Sequence, residues 1–386
     1  MKRNLIICCD GTGNEIKDNQ SNVLKFYRLI KKDDTQIGFY DPGVGTISDS
    51  NAWARFKNKA KGVFGLATGY GLDTNILEAY RFLTRNYKDG DQIYLLGFSR
   101  GAYTVRVLAG FIYMVGLLNK HNENLFEYAL TAYKQASNKD DLSIAWRFQE
   151  VMDTKRVTIH FMGCWDTVGS VIIPRPDRLY LPSIETLPYT LQNTCVKVFR
   201  HAMAIDERRR MFRLMPWKEG GKYKSNPFVK EENAQEQDIK QIWFSGVYSD
   251  IGGGYPETES GAAKIPLKWM VDEASTHGIV FRENMVKRLV DGENPKNSTR
   301  QYVSPGPNAD LHDSMTPVWA LFEMLPKSIR RKEWKKRKSF FGFYLPKAEP
   351  RTIKADADIH PSVFKRSTYA KNKPYRPVNI NNKTGS

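Results

Sequence analysis

The sequence predicts a three-layer α/β protein in which helices cover both faces of a mostly parallel sheet. Short apolar runs alternate along the chain with stretches of helical periodicity, and this alternation is typical of parallel strands joined by right-handed crossovers. One run, Gln92 to Leu96, is apolar at every position after its first residue. A strand of that composition is expected in a sheet that is covered on both faces.

Each predicted element depends on a local pattern. Strands are predicted where apolar runs meet turn-forming residues, at Leu5 to Asp10, Gln36 to Tyr40, Gln92 to Leu96, Val157 to Trp165 and Ile239 to Val247. Helices are predicted where apolar residues recur at helical spacing, over Val23 to Ile30, after the glycine-punctuated stretch Gly62 to Gly71 (with Ile76, Tyr80 and Leu83 on one side), and over residues 101–117.

The domain organisation follows from changes in composition. The alternating pattern extends to about residue 295, and we expect residues 1–315 to form one domain. Residues from about 172 to 236 are rich in Pro, Arg and Lys and are predicted to be insertions and loops. Residues 316–386 are irregular and basic, and we expect a C-terminal subdomain or tail.

Composition narrows the class of protein. Of 386 residues, 41% are hydrophobic, which excludes a disordered chain, and 59 Lys and Arg against 42 Asp and Glu give a net charge of +17. Such a protein is expected to approach anionic surfaces. The sequence has no apolar run of about 18 residues, so no membrane span is predicted. The four cysteines lack disulfide or metal-site spacing, which favours a reducing compartment.

The sharpest motif is Gly97-Phe98-Ser99-Arg100-Gly101, which follows a predicted strand and opens a predicted helix. In that context G-x-S-x-G describes a nucleophile elbow, a tight turn that presents the serine hydroxyl above the sheet and is typical of α/β hydrolases. The amide of Arg100 then lies where it can donate to an oxyanion. The alternative is a serine that only caps the helix.

A serine nucleophile needs a base and an orienting acid, which in this fold follow it in the order acid, then histidine. Asp166, directly after a buried strand, is the candidate acid; the alternative is a turn-capping aspartate. His312 lies in a polar loop between acids and is the candidate base, with His360 next, or it is a structural loop residue.

Several motifs recur together, in this order, in one known family. They are Cys9-Asp10-Gly11-Thr12-Gly13-Asn14, Tyr40-Asp41-Pro42-Gly43-Val44-Gly45-Thr46, the Ser99 motif, Trp165-Asp166-Thr167-Val168-Gly169, His201-Ala202, Asp206-Glu207-Arg208-Arg209, and Gly246 to Tyr255. From the amino terminus to about residue 315, the chain resembles the α/β-hydrolase family of type VI secretion phospholipase effectors, type-one lipase class.

The resemblance implies a Ser-Asp-His hydrolase that cleaves esters, with lipid or phospholipid as the substrate class. Ser99 is then the nucleophile and Asp166 the acid. No cleavable signal peptide is predicted at the amino end, so we expect a cytoplasmic protein, or one delivered by a secretion system that needs no signal peptide. No cofactor or metal is expected.

One position departs from the family. The secreted effectors carry their catalytic histidine where this sequence has Tyr248, and a phenol with a pKa near 10 does not shuttle protons at neutral pH as imidazole does. Either His312 supplies the base, or the chain is an impaired relative that binds a membrane or a protein partner. Asp250 is expected to line the site beside Tyr248.

The loop after the first strand is expected to complete the site. Amides of Gly11 or Thr12 are candidates to join Arg100 in an oxyanion hole. Asp10 is expected to orient this loop or to bind a cation, although one aspartate is weak evidence for a metal.

The segment Arg330 to Tyr344 combines basic and aromatic residues. Three interpretations stay open: peripheral contact with an anionic membrane, contact with nucleic acid, or a solvated segment whose aromatic side chains pack on the core. Nucleic acid is the least favoured of the three interpretations.

Overall fold

The structure, a computed structural model, describes residues 2–11, 19–43, 71–139, 143–169, 172–174, 182–184, 187–225, 229–296, 299–329, 332–334, 338–367 and 374–380. Thr12, the stretch Gly62 to Tyr70, Arg330, Arg331 and residues 335–337 lie outside this part of the chain. Among the described helices, none is both long and apolar enough to cross a bilayer.

A parallel sheet of seven strands organises the molecule. The strands of this sheet are β1 (Asn4–Cys9), β2 (Gln36–Asp41), β3 (Gln92–Phe98), β4 (Ile159–Trp165), β7 (Val196–Ala204), β10 (Asp238–Phe244) and β13 (Asp358–Ile359). They lie in the order β13-β10-β7-β4-β3-β1-β2, and every neighbouring pair is parallel. The α/β fold with a mostly parallel sheet is therefore confirmed.

Helices cover both faces of this sheet. The helices are α1 (Asn22–Leu29), α2 (Leu72–Asn86), α3 (Arg100–Val115), α4 (Phe126–Lys139), α5 (Ser143–Met152), α6 (Tyr248–Gly252), α7 (Lys264–Thr276), α8 (Glu283–Leu289), α9 (Pro317–Phe322) and α10 (Pro361–Lys365). Helices α2 to α5 pack on one face and α1, α7 and α8 on the other. Because alternate residues of β1 enter the two apolar clusters, this strand is buried on both sides.

Three short antiparallel pairs lie outside the main sheet. They are β5 (Ile172–Pro174) with β6 (Pro182–Ile184), β8 (Lys222–Tyr223) with β9 (Gln235–Glu236), and β11 (Lys327–Ser328) with β12 (Phe343–Tyr344). Short 3-10 helices span Lys120–Leu125, Glu231–Asn233 and Glu257–Glu259.

The prediction of insertions and loops over residues 172–236 is wrong for its central part. Val196–Ala204 forms β7, which lies between β4 and β10 in the middle of the sheet. Arg200 and His201 interrupt the apolar pattern of this strand, yet both are buried because partners elsewhere in the fold satisfy them. The Arg200 guanidinium contacts Asp238 and Glu273 at 2.7 and 2.6 Å.

The boundary expected at residue 315 stays a prediction, but the structure shows contacts across it. Strand β13 adds to the main sheet beside β10, and Val363 joins an apolar cluster with Met203, Ile205 and Trp243. Residues after 350 therefore pack against the central sheet.

Candidate active site

Polar side chains follow the carboxyl ends of five neighbouring strands. They are Asp10 after β1, Ser99 after β3, Asp166 after β4, Glu207 after β7 and Tyr248 after β10. Because the strands are parallel, all five residues lie at the same edge of the sheet, where open α/β sheets gather their ligands.

Ser99 occupies a strained turn between β3 and α3. Its backbone has φ 60° and ψ −122°, a region that costs a non-glycine residue of order 1–3 kcal/mol. Its amide donates to the carbonyl of Trp165 at 3.0 Å. The side chain makes no capping hydrogen bond to α3, although Ser99 occupies the N-cap position. The interpretation of Ser99 as a helix cap is therefore not supported.

Both glycines of the motif are required by close approach of the backbone. A Cβ at Gly97 would meet the carbonyl oxygen of Gly101 and the backbone of Ala102. A Cβ at Gly101 would overlap the carbonyl oxygens of Cys9 and Asp10. The first turn of α3 thus lies directly on the carboxyl end of β1, and this contact brings Ser99 close to the Asp10 loop.

The Tyr248 phenol is the side chain that meets the Ser99 hydroxyl. Burial raises the pKa of Tyr248 above its ordinary value, and hydrogen bonding with Ser99 offsets only part of this effect. The ring packs against Phe98 and Phe212, with centroids 4.5 and 4.8 Å away. A protonated phenol therefore occupies the place beside the serine at neutral pH, and it cannot accept the serine proton as a base does.

Asp166 forms a buried ion pair with Arg351. The guanidinium reaches both carboxylate oxygens at 2.6 and 2.9 Å, and the amide of Ala204 donates to the first of them at 3.0 Å. Burial by itself would lower the pKa of Arg351, but the charge of Asp166 raises it overall. Within the described residues no hydrogen bond joins Asp166 to His312, so the structure does not bring these two predicted partners together.

His312 pairs instead with two other carboxylates. Its Nδ1 lies 2.7 Å from Asp250 Oδ1 and its Nε2 lies 3.2 Å from Glu259 Oε2. The amide of His312 also donates to Asp250, and the ring stacks on Tyr255 at 3.4 Å. Burial alone would lower the pKa of His312, but hydrogen bonds and charges from Asp250 and Glu259 raise it. His312 is thus held by an acid, Asp250, that lies on the same short helix as Tyr248.

The loop after β1 is organised around the buried carboxylate of Asp10. This group accepts hydrogen bonds from Ser21, from the Tyr40 hydroxyl at 2.8 Å and from the Gly11 amide at 2.7 Å. The contacts support the expected role of Asp10 in orienting the loop. Since the Gly11 amide already donates to Asp10, it is not directed at Ser99. Burial lowers the pKa of Arg100, beside Ser99, to about 10.

Glu207 connects the elements around Tyr248, and the sequence pattern gave it no role. This buried carboxylate accepts from the Tyr248 amide at 3.2 Å, forms an ion pair with Arg209 at 2.8 Å and lies 3.4 Å from the Ser314 hydroxyl. The loop that carries His312 and Ser314 therefore packs against the turn that carries Tyr248. The motif Asp206-Glu207-Arg208-Arg209 was the available signal for this residue.

Four other histidines, His160, His201, His277 and His360, serve the scaffold. His201 is fully buried and accepts a hydrogen bond from the Thr167 amide, and burial lowers its pKa well below the ordinary value. His160 lies in β4 and contacts His277, which ends α7. His360 caps α10 and stacks on Phe244. In the described part of the chain, no group of three or more metal-binding side chains is found.

An all-parallel sheet covered on both faces, with a strained serine turn and paired polar groups at its carboxyl edge, defines an α/β-hydrolase-like protein. Residues 3–273 match the family described as "T6SS, Phospholipase effector Tle1-like, catalytic domain". The chain belongs to this family of Tle1-like phospholipase effector domains, as the sequence motifs predict.

One individual relative is a longer protein that matches part of this chain. The chain is 35% identical over 226 residues to the uncharacterized protein YEL023C of Saccharomyces cerevisiae, a match that covers 55% of this chain and 32% of that protein. It therefore spans about a third of that relative.

Two solved structures match this chain at low identity and low TM-score. The first is described as an uncharacterized protein from Pseudomonas aeruginosa, with TM-score 0.37 and 20% identity over 73% of this chain and 46% of that one. The second is described as the Tle1 effector bound to the VgrG spike of the type 6 secretion system, with TM-score 0.35 and 19% identity over 68% and 52% of the two chains.

Proposed function

We propose that this protein is a lipase- or phospholipase-type serine hydrolase that cleaves carboxylic esters of phospholipids, with Ser99 as the nucleophile. The observation that carries the proposal is the Ser99 backbone at φ 60° and ψ −122°, at the amino end of α3, with its hydroxyl released from capping. A fold maintains such strain where the side chain must be presented to a reactant. Membership of the phospholipase effector family supports the substrate class.

In the proposed reaction the Ser99 oxygen attacks the ester carbonyl and its proton passes to a base. The negative oxygen of the tetrahedral intermediate accepts from the Arg100 amide, which directly follows the Ser99 turn at the amino end of α3. The second donor is assigned to the Thr12 amide in the loop after β1, since the Gly11 amide already donates to Asp10. The alcohol leaves with the transferred proton, and water then cleaves the acyl-enzyme by the same route.

We propose His312 as the base. Asp250 contacts its Nδ1 at 2.7 Å, which is the arrangement that holds an imidazole for proton transfer through Nε2. Nε2 must leave Glu259, a half-exposed side chain, before it can accept the Ser99 proton. Asp166 acts in this scheme as a fixed charge at the base of the Ser99 turn, and Asp250 takes the orienting role expected for Asp166 from the sequence.

The second candidate function is a hydrolase fold that binds its ligand without turning it over. The observation that favours it is the protonated Tyr248 phenol beside Ser99, at the position where the related effectors carry histidine. Under this alternative the substitution Tyr248→His should supply the missing base and create ester hydrolysis.

The test is hydrolysis of nitrophenyl esters and phospholipid vesicles, together with labelling of Ser99 by a fluorophosphonate. We expect wild type to be active and labelled, and Ser99→Ala, His312→Ala and Asp250→Asn to lose activity, the first by roughly 10⁴-fold or more. Ser275→Ala removes an exposed hydroxyl on α7 and is the matched control.

The outcomes separate the two candidates. Loss of activity in Ser99→Ala but not in His312→Ala would remove His312 from the mechanism. An inert wild type that resists the fluorophosphonate, combined with activity in Tyr248→His, would establish the binding protein instead.

A further inference from the structure

We propose that an exposed apolar surface next to the candidate active site inserts into the interface of an anionic phospholipid bilayer. The surface, called the apolar rim below, consists of the exposed apolar side chains of residues 318–329 and 340–345. The inference rests on the proposed function only for the identity of the substrate, because membrane binding can be measured without catalysis.

The described residues concentrate their exposed apolar side chains in the apolar rim. Ten of the fifteen large apolar side chains that are exposed belong to it: Val318, Leu321, Phe322, Met324, Leu325, Ile329, Phe340, Phe341, Phe343 and Leu345. The most exposed are Phe340 at 76% and Phe341 at 87%. Single exposed apolar residues are ordinary, but a contiguous group marks an interaction surface.

Two phenylalanines form the tip of a hairpin. Strands β11 and β12 pair, and beyond them the amides of Phe340 and Phe343 each donate to the other's carbonyl, at 2.7 and 3.0 Å. Phe341 and Gly342 have positive φ values of 45° and 77°, which turn the chain sharply. The rings of Phe340 and Phe341 contact each other at 4.5 Å. The turn therefore presents both rings at the end of the paired residues Phe340 and Phe343.

The base of this hairpin is anchored by buried polar contacts. Lys327 pairs with Glu349 at 2.9 Å, and the Tyr344 hydroxyl donates to the same carboxylate at 2.5 Å. The amide of Lys347 donates to the carbonyl of Glu323, just after α9. The hairpin and α9 are thus fastened together at this hydrogen bond, which joins the two parts of the apolar rim.

Aromatic contacts connect the apolar rim with Ser99. Trp319, on the inner side of α9, lies 5.7 Å from Phe212, whose ring lies 4.8 Å from Tyr248. Arg210 holds the end of α9 through hydrogen bonds to the carbonyls of Phe322 and Leu325. A bilayer that meets the apolar rim would therefore lie on the side of α9 that leads through Trp319 and Phe212 to Tyr248.

Charge and composition together favour an anionic bilayer over nucleic acid as the binding partner of the apolar rim. Lys338 and Lys347 are exposed among the hairpin aromatics, and the chain carries a net charge of +17. Aromatic side chains with lysines would also suit nucleic acid. Six of the ten side chains in the apolar rim are not aromatic, however. Such side chains cannot stack with bases, whereas they do enter the boundary between headgroups and acyl chains.

The test is co-sedimentation of full-length Ser99→Ala with vesicles of phosphatidylcholine alone or with phosphatidylglycerol added. We expect binding to the anionic vesicles that falls at high salt. Phe340→Ser with Phe341→Ser should weaken it by roughly tenfold or more, and Lys338→Glu with Lys347→Glu should remove the preference for phosphatidylglycerol. Val151→Ser, an exposed apolar residue at 73% on α5, is the matched control.

A second readout separates this inference from the proposed function. In the active protein, the two phenylalanine substitutions should reduce hydrolysis of vesicles and leave hydrolysis of a soluble nitrophenyl ester unchanged. Equal binding by wild type and the phenylalanine variant, or retention on single-stranded RNA in place of vesicles, would overturn the inference. Vesicle binding by a protein that cleaves no ester would support it while the proposed function fails.

Discussion

At the scale of single residues, Gly101 shows most directly how the backbone shapes the candidate site. We predict that Gly101→Ala destabilises the fold by about 2 kcal/mol or more, since its Cβ would overlap the Cys9 carbonyl and force α3 away from β1. Ser99 would move with α3, so activity and fluorophosphonate labelling should fall with stability. Urea unfolding measures the first effect.

The matched control is Gly306→Ala. A Cβ at Gly306 has its nearest neighbour, Ala309, at an ordinary 3.5 Å. We expect this variant to unfold at the wild-type urea concentration. Equal stability of the two alanine variants would show that the contact between α3 and β1 tolerates a methyl group.

The proposal of His312 as the base leads to a prediction about how the carboxylates around it affect the pH dependence of activity. Glu259 contributes to the raised pKa of this imidazole, and a base works only after it has lost its proton. Activity should therefore rise with pH through the pKa of His312. In Glu259→Gln that pKa is lower, so we predict that the rising limb of kcat/KM moves to lower pH.

Glu283→Gln, on the exposed amino end of α8, is a suitable control for the change in net charge. The measurement is the profile of kcat/KM against pH for wild type, Glu259→Gln and Glu283→Gln. An unshifted limb in Glu259→Gln would mean that another group controls the rate.

A site residue can be predicted from the sequence when the residues that define its role lie close to it in the chain. Ser99 is recognisable because the strand, the two glycines and the helix that define its turn are contiguous in the sequence. Asp166 is recognisable in the same way, but its partner Arg351 lies 185 positions further along the chain. No local pattern indicates this pair. The pairing of His312 with Asp250 likewise spans 62 positions. The sequence alone therefore does not show which acid, Asp166 or Asp250, contacts His312.

At the scale of elements, the apolar periodicity predicts most of the central sheet and fails at β7. Strands β1 to β4 and β10 and helices α1 to α3 lie close to their predicted positions, since each carries a regular pattern. Strand β7 contains Arg200 and His201, whose burial depends on Asp238, Glu273 and the Thr167 amide. In a sequence, a buried charged residue that distant residues compensate cannot be distinguished from a solvent-exposed charged residue. The apolar pattern therefore does not predict β7.

The ion pair between Asp166 and Arg351 fastens the segment before β13 to the end of β4. We predict that Arg351→Met destabilises the protein by about 3–5 kcal/mol, because it leaves the Asp166 carboxylate buried without its counter-charge. The double variant Asp166→Asn with Arg351→Met should recover part of this loss, since no unpaired charge is left. Unfolding free energies of the two single variants and the double variant complete the cycle.

The exposed pair of Lys155 and Asp89, at 2.8 Å, offers a control for this cycle. Lys155→Met should change stability by less than about 1 kcal/mol, because exposed pairs are worth little. If Arg351→Met cost no more than Lys155→Met, the buried pair would not hold the segment in place.

At the scale of the whole molecule, the carboxyl edge of one sheet brings together groups that the chain separates widely. Strand order places Asp10, Ser99, Asp166, Glu207 and Tyr248 side by side. Residues beyond 315 also contribute to this arrangement. His360 caps α10, Arg351 is the counter-charge of Asp166, and the apolar rim lies beside the site. The irregular, basic composition late in the chain predicts a separate subdomain, whereas these contacts indicate that the core depends on the later residues.

This dependence gives the last prediction, which concerns truncation. Removal of residues 316–386 would expose the edge of β10 now paired with β13, leave Asp166 without Arg351 and take Val363 from its apolar cluster. An uncovered strand edge promotes aggregation. We expect residues 1–315 to be insoluble or to lack a cooperative unfolding transition, whereas removal of residues 381–386 alone should leave the wild-type transition, because all of these contacts persist. Gel filtration and thermal unfolding of the two truncated proteins decide the matter: a monomeric, cooperatively unfolding 1–315 would establish the boundary at 315 and assign the later residues to an accessory role.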